Sequence, residues 1–196
     1  MLRGSDPAKC AVIDPADNGR EICGTLERLG TTPDAILLTH GHYDHFLAVP
    51  YLQERWPSLP VYCHALDCPR ETEEDDEGVI YPTVSAFRNL RHYGDGDSLT
   101  IGGLNVQVMT TPGHTLGSVT LIVEDALFTG DTLFKGDIGR TDFKGGDDKA
   151  MMQSLARLAS LKGNYRVFPG HDAATTLSDE LEQNPYLKIA QKQYRT

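Results

Sequence analysis

The stretch THGHYDH occupies residues 39–45, directly after the short apolar run at residues 35–38. It holds three histidines and one aspartate in the pattern H-x-H-x-D-H. A random chain with the same seven histidines in 196 residues would show this pattern well below once in about a thousand. Imidazole and carboxylate groups together suit zinc, iron or manganese. The stretch therefore predicts a metal-binding loop at the end of a strand.

The order of donors within this loop indicates two neighbouring metal positions. His40 and His42 alternate along an extended segment and project to one side, whereas Asp44 and His45 turn toward another. Each metal then needs further ligands from elsewhere in the chain.

Three isolated residues can supply these further ligands, because each directly follows a glycine in a small-residue turn at a strand end. They are His114 in TPGHT (111–115), Asp131 in FTGDT (128–132) and His171 in FPGHD (168–172). The glycine lets the backbone approach a metal site closely. One such residue alone is usually a turn or capping residue, but the joint pattern predicts ligands. His64 and His92 have no such context, and we interpret both as surface or capping residues.

The spacing of apolar residues predicts an α/β fold. Apolar runs at 10–13 and 35–38 enclose a helix predicted over 18–29. Further strands are predicted at 61–63, 98–101, 104–109, 118–123, 126–128 and 166–168, and further helices at 50–56 and 148–161. Two strand-rich halves, each with helices, indicate a four-layer αββα sandwich in which two sheets face each other. A chain of 196 residues is expected to form a single domain, 1–196.

The bulk composition is that of a globular protein, 39% hydrophobic and 23% charged. The formal net charge of -10 repels phosphate backbones, so we expect no nucleic-acid partner. We find neither a signal peptide nor an apolar run near the roughly 20 residues of a membrane span, so we expect no membrane partner and a cytoplasmic location. The acidic run at 71–78 is interpreted as a solvated loop. The four cysteines form no C-x-x-C pair and are interpreted as reduced thiols, and the protein is expected to be a monomer or homodimer.

The order HxHxDH, PGH, GD and PGH resembles that of the metallo-β-lactamase superfamily across nearly the whole chain. Two further stretches are similar to glyoxalase II, in particular to small single-domain bacterial hydroxyacylglutathione hydrolases. They are GRTDF (139–143) and the tail from PGHD (169–172) to NPYL (184–187). The resemblance implies the metallo-β-lactamase fold and two divalent transition metals, with zinc favoured and iron or manganese as alternatives. It assigns His40, His42 and His114 to the first metal, Asp44, His45 and His171 to the second, and Asp131 to both as a bridge.

Such a centre implies hydrolysis of a thioester such as S-D-lactoylglutathione by a metal-bridging hydroxide. Two metals about 3.5 to 4 Å apart can share a water and lower its pKa toward about 7. Asp44 and Asp131 are the predicted catalytic residues, and Asp44 would also orient the hydroxide. No serine nucleophile is needed, and the G-x-S-x-G motif of serine hydrolases is absent from the sequence.

Arg140 and Lys135 are predicted to contact the small anionic thioester substrate if the loop from Lys135 to Asp142 rims the cleft. The alternative interpretation of Arg140 is an exposed cation paired with Asp137 or Asp142, a kind of pair that contributes little. Both interpretations remain open at the level of sequence.

The chain also departs from the family pattern. It begins close to the strand ending at residue 13, so the N-terminal strand usual in the family is expected to be shortened. It stops at Thr196 without the helical extension that two-domain glyoxalase II enzymes use to hold glutathione, which leaves the thiol carrier open. Asp137 and Lys144 replace the smaller residue and the proline of the bacterial relatives, so the loop geometry is expected to differ.

Two alternatives belong to other functional classes. A persulfide dioxygenase of the same subgroup would hold one iron through His40, His114 and Asp131, a two-histidine, one-carboxylate set suited to oxygen chemistry. Hydrolysis is favoured because the loop and tail donors complete a second metal position. A non-catalytic metal-binding protein would instead need a site closed by protein ligands. A β-lactamase or nuclease is weaker, because the motif defines metal chemistry and not substrate.

Overall fold

A computed structural model describes residues 1–69, 73–74 and 80–194. The chain forms two compact units, one comprising Met1–Tyr93 with Ser98–Val106 and the other Gly94–Asp97 with Gln107–Thr196. Apart from residues 73–74, the acidic run at 71–78 lies outside the described residues.

The first unit contains seven strands and two α-helices in the described part of the chain. The strands are β1 (Lys9–Ile13), β2 (Thr32–Leu37), β3 (Val61–His64), β4 (Glu73–Glu74), β5 (Ile80–Tyr81), β6 (Leu90–Tyr93) and β7 (Ser98–Ile101), and the helices are α1 (Gly19–Arg28) and α2 (Val49–Arg55). A sheet in the order β1-β2-β3-β6 forms through parallel pairings only. The strand–helix–strand unit predicted over 10–38 is thereby confirmed.

The parallel arrangement explains where the functional residues of the first unit lie. Carboxyl ends of neighbouring parallel strands meet at one edge of a sheet. The segments that leave β1, β2 and β3 therefore emerge together, and they carry Asp14, residues 39–45 and Asp67 respectively. Helix α1 supports this sheet through Leu26, which is 1% exposed, and it is followed by Gly30 at a φ of 62°, a left-handed conformation that favours glycine.

The second unit contains a mixed sheet and three helices. Strand β8 (Leu104–Thr110) enters it at Gln107. The other strands are β9 (Val119–Val123), β10 (Ala126–Gly130), β11 (Leu133–Phe134), β12 (Asp137–Ile138), β13 (Arg166–Pro169) and β14 (Thr175–Thr176). The helices are α3 (Asp148–Ala159), α4 (Leu177–Gln183) and α5 (Pro185–Gln193). The sheet order is β14-β13-β10-β9-β8. Strand β10 pairs parallel with β13 and antiparallel with β9. The end of β10, the end of β13 and the loop before β9 therefore share one edge.

Helix α3 packs through the stripe that its sequence predicts. Met151, Leu155 and Leu158 recur at spacings of four and three, and all three are fully buried with Leu127 and Val167 of the sheet. The stripe is core packing and not a cofactor surface. Across the described residues, we find no helix with the length and apolar character needed to span a bilayer.

Asn184 joins the C-terminal helices to the hairpin of β11 and β12. It is fully buried, and its Oδ1 accepts hydrogen bonds from the backbone N–H groups of Tyr186 and Leu187, which caps α5. Its Nδ2 donates to the Asp137 carbonyl at 3.1 Å and to Glu180 Oε2 at 2.9 Å. The Asn-Pro-Tyr-Leu stretch thus has a structural role in holding the hairpin.

We expect Asn184→Ala to lower the free energy of unfolding by about 1 to 3 kcal/mol, because buried partners would be left without hydrogen bonds. Urea denaturation followed by circular dichroism measures this change. The matched control is Asn105→Ala at an exposed position, for which we expect a change within about 0.5 kcal/mol. Equal stability of the two variants would contradict the role of Asn184.

Candidate metal centre

The metal-binding loop predicted at 39–45 brings three imidazole rings together in the first unit. The ring centroid of His40 lies 4.8 Å from that of His42 and 4.1 Å from that of His45. His40 and His45 are almost completely buried, at 1% and 2% exposure. Asp44 is more accessible, and its Oδ2 lies 3.9 Å from Nε2 of His45. We call these four residues the first ligand set.

Asp14 and Thr39 orient two of these rings. The Asp14 carboxylate accepts hydrogen bonds from the Thr39 backbone N–H at 2.8 Å and from the Thr39 hydroxyl at 2.6 Å, and it lies 3.1 Å from Nδ1 of His45. Because a carboxylate only accepts, His45 donates from Nδ1. The Thr39 hydroxyl already donates its hydrogen bond to Asp14, so at 3.1 Å it accepts a hydrogen bond from Nδ1 of His40.

This tautomer assignment makes both rings suitable as metal ligands. When Nδ1 carries the proton, Nε2 carries the lone pair that a metal requires. The Nε2 atoms of His40 and His45 are both buried. Sequence reasoning missed Asp14 and Thr39, and the available signal was an aspartate directly after a buried strand.

Asp67 fixes the middle of the same loop. Its Oδ2 accepts a hydrogen bond from the backbone N–H of Gly41 at 3.0 Å, and the residue is 6% exposed. A Cβ atom on Gly41 would lie 2.3 Å from the Asp67 carbonyl oxygen, so only glycine fits between His40 and His42. This contact also escaped the sequence analysis, because 26 residues separate its partners.

The second unit brings His114, Asp131 and His171 together, and we call them the second ligand set. Oδ2 of Asp131 lies 3.6 Å from Nε2 of His114 and 3.6 Å from Nε2 of His171. One carboxylate oxygen therefore stands between two imidazole nitrogens. Asp131 and His114 are 8% and 3% exposed, whereas the His171 side chain is 51% exposed.

Backbone contacts position the second ligand set. The Arg140 carbonyl lies 2.6 Å from Nδ1 of His114 and accepts a hydrogen bond from it, so Nε2 is the atom directed toward Asp131. Gly170 donates from its backbone N–H to the Gly130 carbonyl at 2.9 Å, which aligns the ends of β10 and β13. Gly113 has a φ of 146°, and a Cβ atom there would lie 2.4 Å from Cα of Met151.

The two predicted substrate contacts lie in different surroundings. The Arg140 guanidinium forms a bidentate pair with Asp142 at 2.9 and 2.7 Å and lies 4.2 Å from the ring centroid of Phe143. This pair holds the pKa of Asp142 below its usual value. Lys135 lines a cavity of about 740 Å³ in the second unit, together with Phe168 and Thr175. Of the two interpretations of Arg140, the structure shows the pair with Asp142.

Both histidines excluded from the ligand sets behave as predicted. His64 precedes the 3-10 helix Ala65–Asp67, and its Nδ1 accepts a hydrogen bond from the Leu66 backbone N–H at 3.3 Å. His92 is exposed on β6. The capping and surface interpretations are confirmed.

Comparison with known proteins identifies the family. The profile of the Metallo-beta-lactamase superfamily matches residues 2–171. The chain is 35% identical to the probable metallo-hydrolase YqgX of Bacillus subtilis (strain 168), over 91% of this chain and 87% of that protein. It is 44% identical to hydroxyacylglutathione hydrolase of Xylella fastidiosa (strain M12), over 73% of this chain but only 48% of that protein.

Solved structures give the same result. The crystal structure of BLEG-1 B3 metallo-beta-lactamase matches with a TM-score of 0.80 and 34% identity, over 95% of this chain and 91% of that one. TTHA1623 in a di-iron-bound form matches with a TM-score of 0.76 and 38% identity, over 89% and 87%. The predicted α/β fold class is confirmed, and the relatives support a metal-dependent hydrolase. The chain belongs to the metallo-β-lactamase superfamily.

Proposed function

We propose that the protein hydrolyses small anionic thioesters such as S-D-lactoylglutathione at a binuclear metal centre. The observation that carries the proposal is the position of Asp131, whose Oδ2 lies 3.6 Å from Nε2 of both His114 and His171. The resemblance assigns these two histidines to different metals. A carboxylate oxygen close to both imidazole nitrogens supports the proposed role of Asp131 as a bridging ligand.

The donors fit divalent transition metals on chemical grounds. Imidazole and carboxylate groups bind zinc, iron and manganese, and ligating histidines commonly donate their other N–H to a carboxylate or carbonyl. His45 donates to Asp14 and His114 to the Arg140 carbonyl in this way. We propose that both ligand sets serve one centre, with zinc favoured, and this assignment rests on the resemblance to the superfamily.

The proposed chemistry needs no covalent intermediate on the protein. Two bound metals would lower the pKa of a shared water toward about 7 and polarise the thioester carbonyl. Asp44, whose side chain is 43% exposed, would orient the attacking water through a carboxylate oxygen. Asp131 would hold its position between the two imidazoles through the aligned ends of β10 and β13.

The thioester specificity is supported by the similarity to hydroxyacylglutathione hydrolase. The assay is hydrolysis of S-D-lactoylglutathione by protein whose metal content has been measured, with a β-lactam tested in parallel because of the likeness to BLEG-1. Thioester hydrolysis that rises with metal loading supports the proposal. Fully loaded protein without thioesterase activity would contradict it.

We propose that Arg140 binds the substrate carboxylate, which replaces Asp142 as the partner of its guanidinium. Their pair is exposed on both sides, at 65% and 66% side-chain exposure, and exposed pairs of that kind contribute little to stability. A substrate carboxylate can therefore replace Asp142 at little cost. Lys135 is proposed as a second cation for the same substrate.

We expect Arg140→Ala to raise KM about tenfold, because a charge-assisted bond contributes about 1.5 kcal/mol or more, and to leave kcat within about twofold. The backbone carbonyl that orients His114 is retained in this variant. The matched control is Arg55→Ala, since Arg55 also forms an exposed pair, with Glu27 at 2.7 Å, and lies 5.6 Å from an aromatic centroid. Identical KM values for the two variants would show that Arg140 does not bind the substrate.

A further inference from the structure

Three buried threonine hydroxyls meet in the second unit, close in sequence to two residues of the second ligand set. Thr111, Thr120 and Thr132 are each 0% exposed. Oγ1 of Thr111 lies 3.0 Å from Oγ1 of Thr132 and 3.3 Å from Oγ1 of Thr120. We call these residues the threonine cluster. We propose that Thr111 and Thr132 are positioning residues, which hold His114 and Asp131 at the separation that metal binding requires.

Backbone pairing in the sheet aligns one pair of ligands but not the other. Asp131 and His171 follow β10 and β13, which are neighbours in the sheet and are joined beyond it by the hydrogen bond from Gly170 to Gly130. His114 follows β8, and β9 lies between β8 and β10. A link between the segments that carry His114 and Asp131 therefore has to cross β9.

The threonine cluster provides such a link. Thr111 directly follows β8, Thr120 belongs to β9, and Thr132 directly follows Asp131 at the end of β10. Because threonine is branched at Cβ, its χ1 angle is restricted, so a hydrogen bond to the hydroxyl also restrains the backbone that carries it. The contact between Thr111 and Thr132 thus joins the two segments that carry His114 and Asp131.

The three hydroxyl protons have one consistent arrangement in the cluster. Each hydroxyl donates a single proton and can accept at its oxygen. Thr132 donates to the Thr111 carbonyl at 3.4 Å, so its oxygen accepts from the Thr111 hydroxyl. The Thr120 hydroxyl then donates to Thr111 Oγ1. Thr132 is thereby joined to both the side chain and the backbone of Thr111, and burial keeps the arrangement because an unpaired hydroxyl is costly there.

Further hydrogen bonds make the His114 loop follow Thr111. The Thr111 backbone N–H donates to the Ser118 carbonyl at 2.8 Å, which closes the loop. The Ser154 hydroxyl of α3 donates to the Pro112 carbonyl at 2.7 Å. A displacement of Thr111 is therefore transmitted to His114. The inference rests on the proposed role of His114 and Asp131 as metal ligands.

The link is tested by zinc affinity, measured by titration of metal-free protein in competition with a chromogenic chelator. Thr132→Val removes the hydroxyl and keeps the branched shape. We expect it to bind zinc about tenfold or more weakly than the wild type, in line with the loss of a residue that supports a metal ligand. Thr132→Ser retains the hydroxyl and should retain wild-type affinity.

A double-mutant cycle tests whether the two residues act through one contact. Thr111→Val removes the other side of the same hydrogen bond and should weaken zinc binding as much as Thr132→Val does. The double variant should bind zinc no more weakly than either single variant, because all three lack the same link. Independent, additive losses of affinity would overturn the inference.

The matched control is Thr120→Val, the same substitution at an equally buried position of the same cluster. Thr120 lies in a strand that carries no proposed ligand, so we expect wild-type zinc affinity even if urea denaturation shows a loss of stability. Cobalt gives a second measurement, because its visible absorption responds to the geometry of its ligands. We expect altered cobalt bands in Thr132→Val and wild-type bands in Thr120→Val.

The outcomes separate this inference from the proposed thioesterase activity. Equal loss of zinc affinity in Thr120→Val and Thr132→Val would overturn the inference, since the cluster as a whole and not the link would then control metal binding. If Thr132→Val does not fold, wild-type zinc affinity in Thr111→Val would overturn it. Failure of thioester hydrolysis would contradict only the proposed function, because the zinc and cobalt measurements use no substrate.

Discussion

Asp131→Ala is expected to abolish thioester hydrolysis, with kcat reduced at least about a thousandfold. Metal polarisation contributes several kcal/mol, and each 1.4 kcal/mol or so is a factor of ten in rate. Because Oδ2 of Asp131 faces both His114 and His171 at 3.6 Å, its removal should also reduce the metal content of the purified protein. Elemental analysis and the thioesterase assay, on the same sample, measure both effects.

The control for this variant is Asp125→Ala, which removes a carboxylate from the same unit. Asp125 is exposed and pairs with Arg166 at 2.7 Å, and it lies at the opposite end of β10 from Asp131. We expect its metal content and kcat to stay at wild-type values, since exposed ion pairs contribute little. Full activity and two metals in Asp131→Ala would show that Asp131 is not a bridging ligand.

Asp14→Ala is expected to weaken metal binding by about 10- to 100-fold, although Asp14 is not a proposed ligand. Its carboxylate holds His45 directly and His40 through the Thr39 hydroxyl, so its loss frees both rings to rotate or change tautomer. The affinity is measured by competition with a zinc chelator. At saturating zinc the variant should regain most of its kcat, which a true ligand variant should not.

Asp34→Ala is the matched control for this prediction. Asp34 lies in the same unit and pairs with Lys9 at 2.6 Å near the surface. Equal zinc affinities for Asp14→Ala and Asp34→Ala would mean that the contacts of Asp14 do not support the metal-binding loop.

The ligand positions could be predicted from sequence because each is marked locally. A run of donors in H-x-H-x-D-H, and a glycine before each isolated donor, distinguish them from core or turn residues. The α/β fold class could be predicted from the spacing of apolar residues, which indicates two strand-rich halves, each with helices. Helix α1 and helix α3 were predictable because their apolar residues repeat at helical spacing.

The supporting residues could not be predicted in this way. Asp14 acts on residues 39–45 and Asp67 acts on Gly41 across hydrogen bonds between separate segments. Nothing in the local sequence marks such a pair, since one aspartate after a strand has many possible roles. They become evident only when parallel strands place β1, β2 and β3 side by side.

Arg140 shows a different difficulty. The sequence indicates a role only for its side chain, as a substrate contact or a surface ion pair. The structure adds a role for its backbone carbonyl, which accepts a hydrogen bond from Nδ1 of His114. Backbone roles are independent of residue type, so composition and motif carry no signal for them.

The central claim is tested most directly by three measurements on one sample. They are the metal content, the hydrolysis of S-D-lactoylglutathione, and the oxygen uptake with glutathione persulfide. We predict about two divalent metals per chain, thioester hydrolysis and no oxygen uptake. One iron per chain with oxygen consumption would contradict the claim, and would assign the chemistry to His40, His114 and Asp131 as a mononuclear iron site.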